Sequence, residues 1–326
     1  MYTLRMVPTE QAVGLMYAHD LTRIVPGEGK GPRFRRGQVV RPEDVPVLLA
    51  MGKEHLYVWE PHPGMLHEEE AALRLAEAGA GGGLRWDPPA EGKVSLRAAF
   101  RGLLRVDAAR LEAINAIGDI TIATLRDATL VEEDTVVAGC KVTPLLVAEE
   151  QIRRAEAMGR WIEVKPLAPL RAGLVVTGSE VYKGRIPDKF GPVVEEKLAR
   201  FGCPVVYKAY SNDQAEMTAA KIREAVEAGA QMVLCTGGMS VDPDDATPGA
   251  IRRAGADVVT YGVPFLPGSM FLFAYLGDVP VMGLPGAVMW EKVTVFDVVL
   301  PRVLAGERLS KADFVRLGHG GLLPRE

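Results

Sequence analysis

Beyond Arg171 the chain repeats one rhythm: a short apolar run, a glycine or polar turn, then a helical pattern. That rhythm limits the fold more than any other feature. Gly173–Val176 is apolar and β-branched and breaks at Thr177-Gly-Ser-Glu180, after which Phe190, Val193, Val194, Leu198 and Phe201 fall on one face of a helix ended by Gly202. Pro204–Tyr210 predicts the next strand, closed by Ser211-Asn-Asp-Gln214, and a helix then runs to Ala228. Gln231–Cys235 predicts a third strand, with Thr236–Asp245 as its loop and Thr247-Pro248 as a favourable helix start. Phe271–Tyr275 and Pro280–Met282 predict two more, the last running into Gly283-Leu-Pro-Gly286 and a helix of about eighteen residues. Strands and helices alternating at these lengths predict a three-layer α/β/α domain around a mostly parallel sheet.

The preceding half reads differently. Residues 1–60 predict a small β-rich module with one helix near Glu43–Met51, a strand at His55–Trp59 and a basic loop carrying Lys30, Arg33, Arg35 and Arg36. Residues 61–168 predict an α+β module with helices over Pro63–Ala78, Ala108–Ile117 and Ala148–Met158 and strands near Lys93–Leu96, Gly102–Val106 and Thr135–Lys141. Gly79-Ala-Gly-Gly-Gly83 follows a helix rather than a strand and is expected to be a flexible connector. The proline-rich bend Glu163-Val-Lys-Pro-Leu-Ala-Pro169 is the expected boundary, giving modules 1–60, 61–168 and 169–326.

Composition narrows the chemistry. With 48% hydrophobic and 25% charged residues the chain is expected to be soluble, and a net charge of −4 supplies no basic field for gripping nucleic acid or an anionic membrane. The three cysteines fit neither a disulfide framework nor a standard zinc spacing, so a cytoplasmic setting is expected. No apolar run reaches membrane-spanning length. Any phosphate recognition must therefore be local.

The strongest local signal is Val233-Leu-Cys-Thr-Gly-Gly-Met-Ser-Val-Asp-Pro-Asp-Asp-Ala-Thr-Pro-Gly249, a buried strand that opens into a glycine pair and three aspartates. Gly237 and Gly238 leave backbone amides open to an anion, while Asp242, Asp244 and Asp245 are hard oxygen ligands of the kind magnesium takes. The plainer reading is a βα turn whose aspartates cap the next helix. In a parallel sheet all strand-to-helix loops leave on one edge, where ligands bind. Thr177-Gly-Ser-Glu180, Ser211-Asn-Asp213, Thr236–Asp245 and Gly283-Leu-Pro-Gly286 would then surround one crevice. Lys183, Arg185 and Lys189 could clamp an oxyanion or stand solvated, no histidine is near, and Cys235 reads as a buried strand residue.

At these motifs residues 170–305 resemble the molybdopterin-binding domain of molybdenum-cofactor biosynthesis proteins. Thr177-Gly-Ser-Glu180 resembles the family's first strand loop, Thr236-Gly-Gly-Met-Ser-Val-Asp242 its glycine-glycine-x-serine-valine loop, and Val263-Pro-Phe-Leu-Pro-Gly268 with Gly283-Leu-Pro-Gly286 its paired proline-glycine turns. The resemblance implies that Thr177, Gly178, Ser179, Asp213, Thr236, Gly237, Gly238, Ser240, Thr247, Pro285 and Gly286 hold molybdopterin. It implies catalytic roles for Asp242, Asp244, Asp245 and Glu180, with magnesium on the three aspartates and ATP or molybdate as co-substrate. The implied activity is adenylyl transfer or molybdate insertion at the pterin phosphate. A non-catalytic carrier or sensor of the cofactor and a nucleotide pyrophosphatase are the alternatives, and a homo-oligomer stays open. Ala287 and Val288 stand where molybdenum-inserting members carry asparagine-proline, and residues 1–168 lack their serine-alanine-methionine-aspartate-glycine signature.

Overall fold

Ala172–Thr177 is buried at every residue, as a strand covered on both faces must be. The computed structural model describes residues 3–25, 29–60, 64–240 and 246–324. It divides the chain into two compact units, Met1–Lys165 and Pro166–Glu326.

The second unit is built on a six-stranded sheet: β1 (Ala172–Thr177), β2 (Val205–Ser211), β3 (Met232–Thr236), β4 (Asp257–Tyr261), β5 (Leu272–Leu276) and β6 (Val279–Leu284), in the order β2-β1-β3-β6-β5-β4. The first four in that order run parallel. β5 alone runs antiparallel, because Gly277-Asp278 closes a two-residue hairpin between β5 and β6, and β4, antiparallel to β5, restores the common direction at the far edge. Successive side chains of a strand point to opposite faces. Leu174, Val176, Leu234 and Met282 accordingly enter one apolar cluster, while Val175, Val233, Cys235 and Val281 enter another.

Helices close both clusters. Two of them, α2 (Phe190–Ala199) and α5 (Val295–Leu304), cover the first face with Val194, Leu198, Phe296 and Leu300. On the other face α3 (Ala215–Glu227) and α4 (Thr247–Arg253) bring Ile222, Ala225 and Ile251. Two short helices, α1 (Ser179–Tyr182) and α6 (Lys311–Val315), complete the set. The expected α/β/α layering is present.

The helix expected to follow Gly286 as one long element is not. A 3-10 turn spans Gly286–Met289 and α5 begins only at Val295, for 10 residues. Thr294 and Asp297 form a capping box that satisfies the first amides of α5, and the Lys197 ammonium binds the Lys292 carbonyl at 3.1 Å. Those side chains take the backbone groups that a continuous helix would have paired.

In the first unit, Thr3–Pro8 pairs antiparallel with His55–Glu60 over a cluster containing Val7, Tyr17, Leu48, Leu56 and Val58. A larger cluster lies between the helix Glu68–Gly79 and an antiparallel sheet ordered Leu84–Trp86, Lys93–Ala98, Val136–Val142, Ile120–Thr124. The glycine run is no connector. The Gly81 amide donates to the Ile162 carbonyl at 2.7 Å, and a Cβ on Gly81 would come within 2.8 Å of the Glu163 Cβ. Gly79 likewise faces the Trp161 indole, so the glycines let two backbones meet. Among the described residues no helix is long and apolar enough to cross a membrane.

Candidate functional site

Because β1, β2, β3 and β6 are parallel, Gly178, Asn212, Gly237 and Pro285 all emerge at the same sheet edge. An open cleft of about 850 Å³ lies there. Its walls include Thr177 and Glu180 after β1, Thr236, Gly237, Gly238 and Ser240 after β3, and Pro285 and Gly286 after β6. Of the four loops expected to surround it, those after β1, β3 and β6 line the cleft, while Ser211-Asn-Asp213 contributes no lining residue.

Three threonines organise the floor. The Thr177 hydroxyl, at the end of β1, donates to the Thr236 carbonyl at 2.8 Å. The Thr247 hydroxyl donates to the Gly237 carbonyl at 2.9 Å and stands 3.2 Å from the Thr177 hydroxyl. Both carbonyls of the β3 turn are therefore bound from behind. Glycine is required at that turn: Gly237 has φ +83°, and a Cβ there would come within 2.5 Å of the Thr177 carbonyl oxygen. Gly238 has φ +54°, and its Cβ would stand 2.8 Å from the Thr247 hydroxyl.

Thr236 is fully buried, and its hydroxyl has no hydrogen-bond partner among the described residues. Buried hydroxyls are nearly always paired, because leaving one unpaired costs about 1–3 kcal/mol.

The remaining expected residues fall into two groups. Gly178, Ser179, Asp213 and Thr247 stand behind the lining rather than in it: the Gly178 amide donates to the Ser211 carbonyl at 3.1 Å, and the Ser179 amide to the Asp213 carboxylate at 3.0 Å. Asp213 thus pins the loop that carries Glu180. Asp242, Asp244 and Asp245 lie outside the described residues, and among the described residues no three histidine, cysteine or carboxylate side chains gather as a metal site. Of the three lysines and arginines considered after β1, Lys189 lines the cleft.

One lining acid escaped the sequence reading. Asp188 accepts from the Phe190 and Gly191 amides at 3.0 and 2.8 Å and pairs with Lys208 at 3.3 Å, fixing the start of α2 against the cleft. An aspartate two residues before a helix was the available signal. Ser269, Met270 and Met289 also line the cleft and carry no motif that would have exposed them; Met239, which stands within the Thr236–Asp242 motif, lines it as well. Cys235 is inert: burial pushes its thiol up to about 12.

Residues 173–305 match the family model described as "Probable molybdopterin binding domain". The second unit carries a domain of that family. Residues 6–60 match a domain of unknown function. Over 177 residues the chain is 29% identical to the molybdopterin molybdenumtransferase of Synechococcus elongatus, covering 51% of this chain and 42% of that protein. It is 31% identical over 83 residues to a CinA-like protein of Mycobacterium tuberculosis, covering 26% of this chain and 19% of the relative. The chain thus spans less than half the length of these relatives. Among solved structures, the molybdopterin biosynthesis enzyme MoaB of Thermus thermophilus is similar at 21% identity and a TM-score of 0.35, over 42% of this chain and 98% of that one. In the molybdopterin-binding-family domain of this chain, Ala287 lines the cleft and Val288 is fully buried beneath it.

Proposed function

We propose that the second unit binds molybdopterin in the 850 Å³ cleft, with its phosphate at the Thr236–Ser240 loop, and that the protein acts on that phosphate in molybdenum-cofactor biosynthesis. The observation that carries this reading is the glycine turn at the end of β3, which opens into the cleft at the carboxyl edge of the parallel sheet and leaves Ser240 exposed there. A phosphate oxygen is an acceptor for the Ser240 hydroxyl and for the amides that glycine leaves uncovered.

For adenylyl transfer, a pterin phosphate oxygen forms a bond to the α-phosphorus of ATP while the bond to the β-phosphate oxygen breaks and pyrophosphate leaves. The protein's part is positioning. The Gly237–Gly238 backbone would orient the anion, Lys189 would offset its charge, and Glu180 would border the opposite wall. Magnesium on Asp242, Asp244 and Asp245 would supply the charge neutralisation that this chemistry needs. Molybdate insertion uses the same phosphate as its handle. A soluble cytoplasmic protein with its three cysteines free and buried fits this assignment.

A non-catalytic carrier of the cofactor is the second reading, and Ala287-Val288 favours it: apolar groups stand where a molybdenum-inserting member would place an amide. Calorimetric titration with ATP, with and without magnesium, separates the two. The enzyme reading predicts ATP binding strengthened by magnesium. No detectable ATP binding at millimolar concentration would leave the carrier.

A further inference from the structure

Five successive carbonyls, from Thr236 to Ser240, each accept a hydrogen bond from outside their own loop. The Thr177 and Thr247 hydroxyls take the first two, and the Thr247 amide donates to the Gly238 carbonyl at 3.3 Å. The last two share one donor. The Tyr261 hydroxyl donates to the Met239 carbonyl at 3.1 Å and to the Ser240 carbonyl at 3.3 Å. The amides of Gly238, Met239 and Ser240, by contrast, have no hydrogen-bond partner among the described residues. With its acceptors taken and its donors open, this backbone offers an incoming group only N–H.

A peptide unit is planar, with its N–H directed opposite to its C=O. The Met239 carbonyl and the Ser240 amide belong to one such unit, so the hydroxyl that holds the carbonyl turns the amide away from Tyr261. The Thr247 hydroxyl, on the Gly237 carbonyl, does the same for the Gly238 amide. Neither Tyr261 nor Thr247 lines the cleft, whereas Gly238, Met239 and Ser240 do. Tyr261 is the last residue of β4, whose carboxyl end lies at the cleft's edge of the sheet because β4 runs with β1, β3 and β6. Although β6 and β5 separate β4 from β3, the side chain at its end fixes the backbone of the β3 loop. Backbone amides turned together form a concave donor site for an anion. We propose that Tyr261 is a positioning residue for the anionic end of the ligand: its hydroxyl holds the Met239 and Ser240 carbonyls back so that the Ser240 amide, with that of Gly238, donates to a phosphate oxygen. The proposal rests on the function given above and names a residue that shapes the phosphate loop without touching the ligand.

Tyr261→Phe removes the hydroxyl and keeps the ring. Tyr275→Phe is the control: it deletes a hydroxyl on β5 that accepts from the Leu309 amide at 2.7 Å, and Tyr275 does not line the cleft. Wild type and both variants are titrated calorimetrically with molybdopterin and, separately, with inorganic pyrophosphate, which carries the anion without the pterin. A thermal midpoint on each protein separates lost stability from lost affinity. Tyr261→Phe should bind about three- to tenfold more weakly, and Tyr275→Phe should bind as the wild type does whatever its midpoint. The role is judged on whichever ligand the wild type binds. Unchanged affinity in Tyr261→Phe, or an equal loss in the two variants, overturns the positioning role and leaves the cleft assignment standing. A wild type that binds pyrophosphate and not molybdopterin overturns the molybdopterin reading alone. Failure of the wild type to bind either ligand overturns both.

Discussion

At the β3 turn one methyl group decides whether the cleft exists. Gly237→Ala would force a left-handed φ of +83° on an L-residue and drive a Cβ against the Thr177 carbonyl, costing about 2–4 kcal/mol of stability. Gly286, at the end of the β6 loop, has no atom within 4 Å of where its Cβ would stand. Gly286→Ala should therefore fold as the wild type does, and denaturant midpoints of the two variants check the contrast. Thr236 behaves in the opposite sense. Valine has the same shape without the orphaned hydroxyl, so Thr236→Val should be as stable as the wild type or up to about 1 kcal/mol more stable. The glycine pair was legible in the sequence because only glycine takes that backbone. The orphaned hydroxyl was not, since partnership depends on the Thr177 and Thr247 side chains brought in from other strands and loops.

Among the elements, the helix Glu68–Gly79 depends on a histidine cap. His67 Nδ1 accepts from the Glu69 amide at 3.2 Å, which leaves Nε2 as the donor to the Ala18 carbonyl at 3.0 Å. Burial, assisted by the positive charge of Arg36, lowers the His67 pKa from 6.5 to about 4. The folded state then binds fewer protons than the unfolded state between those values. This contribution is present in full above about pH 6.5 and is lost as pH falls toward about 4. Asparagine caps helices well and does not titrate. In His67→Asn the fall in thermal midpoint between pH 7 and pH 5 should be smaller than in the wild type; an unchanged fall would show that other groups set the acid sensitivity. The elements themselves were readable where periodicity was strong, as in β1, β3 and the helix over Ala108–Asn115. The sequence reading failed at 286–294, where helix-forming residues are diverted by the Thr294–Asp297 cap and by Lys197, almost a hundred residues earlier in the chain. It failed also at Gly79–Gly83, where flexibility and close packing call for the same residue and only the partner strand distinguishes them.

For the whole molecule, the topology carries the functional argument. Four parallel strands bring loops separated by more than a hundred residues to one edge, and this much follows from the strand–helix rhythm alone. What the rhythm could not supply was the composition of the wall. Asp188, Ser269 and Met289 enter the cleft through the way the α1–α2, β4–β5 and β6–α5 connections fold back, which no local pattern encodes. The same limit separates Glu180, which faces the cleft, from Asp213, which braces the loop behind it. The central claim is that the Thr236–Ser240 loop receives the phosphate of molybdopterin, and calorimetric titration of molybdopterin into the wild type and Ser240→Ala, which removes an exposed hydroxyl lining the cleft, tests it most directly. The account predicts binding by the wild type and affinity weaker by about tenfold or more in a variant whose thermal midpoint is undiminished. Equal affinity in the two proteins, or no binding by the wild type, would contradict it.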